Sequence, residues 1–197
     1  MFRRRTRPER SAAVLPACAA ALALCACAGE ARPAATADDA GAVPADALGN
    51  ITDGPGASCD VPDSPAALIA FLRSGAYRNF TRESGPHPSS GPHGGRVLTY
   101  VNDILARSLA RPEARNEGHP RCAASIKELF LGGDTVAGWA VLVKTADDSA
   151  AGRGIYWFET TSTAADRTPA YQGAGLGLCV SCHAAGSDHV LTPWPLQ

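Results

Sequence analysis

Apolar positions at helical spacing occur early in this chain of 197 residues: Leu68, Ile69, Phe71 and Leu72 follow Ser64-Pro65 and precede Gly75. Serine can cap the free amides of a first helical turn, proline is preset for that turn, and glycine can close the far end in a left-handed conformation. A helix is therefore predicted there. A second is predicted over residues 104–109, capped by Asn102 or Asp103 and stopped by Pro112. Between them a loop rich in Gly, Pro and Ser, residues 83–95, leads into a strand at 96–101. The second half changes character. Residues 124–131, 138–144 and 154–160 are short runs rich in Val, Ile, Leu and aromatics, separated by Gly132-Gly133-Asp134 and by a loop at 147–153. That spacing predicts an antiparallel meander. In its last strand Ile155 and Trp157 alternate with Tyr156 and Phe158, so both faces are apolar. One face is expected against the helices and the other against a ligand or partner. The predicted fold class is α+β: a mostly antiparallel β-sheet (meander) with flanking helices.

The N-terminus has a different pattern. A basic stretch, residues 1–10, precedes a small apolar run, residues 12–26, that is too short to span a bilayer. Residues 1–26 read as an export signal. Its end, Leu24-Cys25-Ala26-Cys27, resembles the lipobox of bacterial lipoproteins, with Cys27 as the lipid-bearing residue; ordinary cleavage after the small-residue tripeptide Ala26-Cys27-Ala28 is the competing reading. Both predict a periplasmic protein, the first anchored to the membrane by lipid. Residues 27–57 are dominated by Ala, Gly, Pro and Asp, too poor in large apolar side chains to offset their ordering entropy, and are expected to form a disordered tether. The folded domain is assigned to residues 58–197. Five of the 18 basic side chains lie in the first ten positions, so removing the signal leaves 13 basic against 18 acidic residues. No basic stripe with interleaved aromatics remains, so no nucleic-acid partner is expected.

The chemistry lies near the C-terminus. Cys179-Val180-Ser181-Cys182-His183 matches C-x-x-C-H, the attachment motif of c-type haem. Cysteines three apart share one face of a helical turn, so both thiols can reach the two vinyl groups on one porphyrin edge, and the next residue can offer its imidazole to the iron. The expected cofactor is one covalent haem c, held by Cys179 and Cys182 on a C-terminal haem-attachment helix, with His183 as the iron ligand. A thioredoxin-type redox pair fits poorly, because that motif follows an early strand of a parallel unit. A zinc site would have to recruit scattered residues such as Cys122 and His189, and a Cys179–Cys182 disulfide would close a small strained loop. The only methionine is Met1, within the signal, so a His/Met haem is excluded. A second histidine (His87, His93, His119 or His189) or an open coordination position remains.

Several segments carry a family resemblance: His93-Gly94-Gly95-Arg96-Val97 running into Tyr100-Val101-Asn102-Asp103, Ile126-Lys127-Glu128-Leu129, Gly138-Trp139 through Val143-Lys144, Tyr156-Trp157-Phe158, and Cys179 to His183 followed by Asp188-His189-Val190-Leu191-Thr192. In this order, over about half the chain, they resemble the cytochrome P-460 family, which includes cytochrome c′-beta. The resemblance implies an antiparallel β fold with helices, often a homodimer, and a five-coordinate haem ligated by His183. The ligands it implies are small nitrogen species, nitric oxide or hydroxylamine, with a redox partner of unknown identity. It also implies that Lys127 occupies the position of a lysine cross-linked to haem in hydroxylamine-oxidising members; a solvent-facing strand lysine is the alternative. Those members keep a carboxylate above the iron as a proton acceptor. Here the expected segment, Gly138 to Leu142, is apolar, which points toward binding of nitric oxide or carbon monoxide unless Glu159 or Glu128 supplies the base. Cys59 and Cys122, the leftover pair, are expected to form a disulfide in an oxidising compartment. The competing functions are a simple electron-transfer cytochrome c with bis-His or weak distal ligation, and a four-helix cytochrome c′, which the strand-rich second half argues against.

Overall fold

The computed structural model describes residues 58–111, 113 and 117–197. The signal, Cys27 and the tether lie outside the described residues. The domain is α+β: among the described residues are seven strands in one antiparallel sheet, three α-helices and a short 3-10 turn.

Helix α1, Pro65–Ser74, begins behind Ser64 and ends at Gly75, whose φ of 72° lets its amide donate back to the Leu72 carbonyl. Ser64 stands at the cap position without a side-chain capping bond, so the preset φ of Pro65 starts the turn. Leu68 and Leu72 are buried, and Tyr77 from the 3-10 turn Ala76–Asn79 joins them. Helix α2, Asp103–Leu109, is capped by Asn102, whose Oδ1 accepts from the amides of Leu105 and Ala124, each at 3.0 Å. The Asn102 Nδ2 donates to the Cys122 carbonyl at 2.7 Å and to Asp60 at 2.9 Å. One buried amide thus fixes the start of α2, the entry to the next strand and the N-terminal segment. Cys59 and Cys122 are joined across the same junction, with Cα atoms 5.1 Å apart.

The strands are β1 Thr81–Arg82, β2 His87–Pro88, β3 Arg96–Val101, β4 Ala124–Phe130, β5 Gly138–Lys144, β6 Ile155–Thr160 and β7 Tyr171–Ala174. Their order is β1-β3-β4-β5-β6-β7, and β2 also pairs with β3. The predicted meander is therefore β4-β5-β6, extended by β3 on one side and β7 on the other. β1 lies just ahead of the stretch expected to be loop and β2 inside it. They are two pieces of one edge, and Glu83 fills the gap between them. Its amide donates to the Thr99 carbonyl at 3.0 Å and its carboxylate accepts the Thr99 amide at 2.6 Å, so a side chain substitutes for a strand rung. At Gly138 a Cβ would lie 1.9 Å from the Thr160 carbonyl, which explains glycine where β5 meets β6.

Alternation divides the sheet into two faces. One carries Leu98, Tyr100, Ile126, Phe130, Trp139, Val141, Val143, Tyr156 and Phe158, packed against α1 and Tyr77. The other carries Val101, Leu142, Ile155 and Trp157 at one end, packed with Leu105, Val190 and parts of the C-terminal segment. At its other end a smaller apolar group consists of Val97, Leu129 and Ala140. Helix α3, Gly177–His183, follows β7 and lies on this second face.

Candidate functional site

Helix α3 holds the C-x-x-C-H run. Cys179 and Val180 pack into the group around Trp157, whereas Cys182 is exposed. The helix seats tightly: a Cβ at Gly152, φ 89°, would lie 2.6 Å from a Val180 methyl. Both thiols are unpaired, and burial raises the pKa of Cys179.

His183 ends the helix. Its Nδ1 lies 2.9 Å from the His189 carbonyl and donates to it, because a carbonyl can only accept. That fixes the tautomer and leaves Nε2 with a free lone pair. Burial, with Lys127 and His93 nearby, lowers the pKa to about 4, so the ring is neutral at ordinary pH. A neutral imidazole with one nitrogen tied to a carbonyl is the form that ligates metals. The Trp157 ring lies edge-on to it, with centroids 4.7 Å apart. The Trp157 indole N–H is buried without a partner among the described residues.

Strand register brings further polar groups to this face. Thr99, Lys127, Ala140, Glu159 and Tyr171 form one row across β3, β4, β5, β6 and β7. Lys127 is partly buried, and among the described residues no hydrogen bond or ion pair reaches its ammonium. Desolvation lowers its pKa, opposed by the negative charges of Glu83 and Glu159. Glu159 accepts from His93 Nδ1 at 2.9 Å, and the His93 ring lies 6.4 Å, centroid to centroid, from His183. Lys127 is thus neither a solvated strand lysine nor a paired one.

Other sequence candidates fall elsewhere. Glu128 is not available as a base on this face. Adjacent to Lys127 in an extended strand, it points the opposite way and is buried among Tyr77, Arg78 and Tyr100. His87 is exposed and lies 3.1 Å from Glu83. His119 is buried, with Nδ1 2.9 Å from the Ser108 hydroxyl. His189 contributes its carbonyl to His183. Trp139 belongs to the α1 face, where it donates to Tyr77 at 3.0 Å. His93–Glu159 as a pair was not anticipated. Only the β4-β5-β6 register brings Glu159 level with Lys127.

Among the described residues no three His, Cys, Asp or Glu side chains gather as a site for a bare metal ion. An open cleft of about 410 Å³ lies past the end of β6, lined by Thr160, Thr161, Ser162, Arg167, Thr168 and Ala170, and it holds neither the thiols nor the imidazole. Chemically, the α3 arrangement offers two thiols able to add to electrophilic carbon and one nitrogen able to bind a metal. Beside these lie an ammonium without a hydrogen bond or ion pair among the described residues and an unpartnered indole N–H. No family model matches the chain, and no curated protein matches it either.

Proposed function

We propose that the protein is an extracytoplasmic mono-haem c-type cytochrome of the cytochrome P-460 and c′-beta kind, a periplasmic lipoprotein anchored through Cys27. Cys179 and Cys182 would hold the haem by thioethers, formed by adding each S–H across a vinyl group without net oxidation. His183 would ligate the iron, and the ligand taken up by the bound group would be nitric oxide, hydroxylamine or a similar small nitrogen species. The observation that carries this reading is the His183 geometry: Nδ1 committed to the His189 carbonyl and Nε2 free, on the same short helix as two unpaired thiols.

The surroundings suit a flat apolar ring with an anionic edge. Val97, Leu129 and Ala140 provide an apolar wall, while the unpartnered Trp157 N–H and the Lys127 ammonium lack the acceptors that propionates would supply. Bound haem supplies a Lewis-acidic, redox-active iron. The chain's own residues bind, orient and shield it. Lys127, whose ammonium no described residue pairs, would be the residue to form a covalent link to the haem edge if the family resemblance extends that far. Glu159, tied to His93, is the carboxylate on this face available to accept a proton, the role required for hydroxylamine oxidation.

Periplasmic expression beside a haem-ligation apparatus tests the reading. Haem that survives denaturing electrophoresis and a high-spin spectrum that shifts with nitric oxide are expected. A colourless protein with free thiols would overturn it.

One observation favours a second reading, a bis-His electron carrier. His93 is close to His183 and has its own Nδ1 held by Glu159, leaving its Nε2 free as well. A low-spin ferric spectrum, converted to high-spin by His93→Ala, would select it.

A further inference from the structure

We propose that the buried Lys144–Asp188 ion pair is a positioning device for the His183 imidazole, acting through the backbone carbonyl of His189. The inference rests on the reading of His183 as an iron ligand.

Lys144 ends β5 and is fully buried. Its ammonium donates to the Asp188 carboxylate and, at 3.1 Å, to the Asp147 carbonyl. The same Asp188 oxygen accepts the His119 amide at 2.8 Å. Asp188 is therefore gripped from the sheet and from the segment ahead of Cys122. Removing one partner of a buried ion pair is strongly destabilising, so the grip is firm.

The grip falls on an unusual turn. Asp188 and His189 are consecutive non-glycine residues in the left-handed region, φ 46° and 65°. Such a pair persists only where surrounding contacts impose it. The turn is closed by the Val190 amide donating to the Ser187 carbonyl at 2.8 Å, and Val190 is buried in the group around Trp157. At Gly186 a Cβ would lie 2.5 Å from the Val190 carbonyl, so the turn leaves no room for a side chain there. Its product is the His189 carbonyl, aimed at His183 Nδ1 from 2.9 Å. An acceptor at Nδ1 raises the donor strength of Nε2 toward a metal and favours the oxidised state. A pair that merely stabilised the C-terminal segment would leave that electronic property untouched.

The test compares ferrous holoprotein of the wild type with Lys144→Met/Asp188→Gly. The double substitution removes both charges together, so none is stranded, and glycine tolerates the left-handed φ. Retained haem is expected, with the iron–imidazole stretch moved to lower frequency and the midpoint potential moved upward. Lys144→Arg, which keeps the pair, should restore wild-type values of both. A haem-loaded double variant with an unchanged potential and stretch would overturn the proposal. If the double variant does not fold, Asp188→Asn decides: it keeps the side-chain shape and an acceptor for His119, and a smaller shift in the same direction is expected against no shift. Absence of covalent haem in the wild type would instead overturn the reading of the site itself.

Discussion

Lys127 and Glu128 are neighbours in β4, yet their surroundings on the two faces treat their charges in opposite ways. On the α1 face Glu128 is saturated. Tyr77 donates to it at 2.6 Å, Arg78 at 3.0 and 3.1 Å, and Tyr100 at 3.4 Å, while Trp139 donates in turn to Tyr77. On the other face Lys127 has no such partner among the described residues, and the Trp157 N–H is unpartnered. A buried polar group left without a partner costs about 1–3 kcal/mol, so a fold keeps one only where something else compensates. The difference is one of completion around each residue: the polar cluster at Glu128 is closed by the chain's own donors and holds the sheet to α1, whereas the groups around Lys127 leave polar atoms that no described residue partners, as the proposed cofactor site requires.

The sharpest break in that comparison is Cys179→Ala/Cys182→Ala. Covalent haem, read as heme stain on a denaturing gel, should disappear completely, while the circular dichroism of the sheet stays as in the wild type. Loss of the sheet signal would mean that α3 serves the fold rather than a cofactor. Next in size is Glu128→Ala. Removing the acceptor of a charged, largely buried network should cost about 3 kcal/mol in chemical denaturation without changing the absorption spectrum of the haem that remains bound. A changed spectrum would join the two faces and undo the distinction.

How much of this was legible follows from how local each feature is. The helix limits were readable because Ser64, Pro65, Gly75 and Asn102 act within a turn or so of themselves. The meander was readable from apolar runs between glycine-rich turns. β7 was not, since Tyr-Gln-Gly-Ala has no apolar run and is a strand only through its pairing with β6. β1 and β2 were hidden because they are two residues each and the ladder between them is completed by the Glu83 side chain. Of the site, the two thiols and His183 share one helix and were legible as a motif. The groups that surround them, Trp157, the His93–Glu159 pair and the His189 carbonyl, arrive by register and by a left-handed turn, which no short motif encodes. Between the two carboxylates offered as a base, Glu159 and Glu128, the strand pattern itself decides against Glu128: a residue next to Lys127 in an extended strand must face away from it.

A milder break is Tyr77→Phe. It removes one of the three donors to Glu128 Oε1, the other two being Arg78 nitrogens, and leaves the Trp139 N–H without its acceptor, for an expected loss of about 1–2 kcal/mol with the haem spectrum unchanged. Glu128→Gln combined with it should cost less than the sum of the two single changes, because both act on one network.

The smallest stability effect belongs to Lys127, and its sign is the opposite. In haem-free folded protein burial lowers the Lys127 pKa below that of the unfolded chain. Between the folded and unfolded values the unfolded state binds more protons, so stability rises with pH through that window. Below the folded value the destabilisation is fully present; above the ordinary lysine range it is gone. Lys127→Met should therefore stabilise the apo domain slightly at neutral pH and flatten the alkaline rise of its denaturation midpoint, with Glu83 and Glu159 nearby limiting the gain because they favour the charged form. In the haem-loaded protein the same substitution should abolish any red shift of the ferrous Soret band caused by a link to the haem edge. A Lys127→Met domain that is less stable than wild type at neutral pH, with an unflattened alkaline rise, would show that the ammonium is satisfied in solution and that this face is as complete as the other.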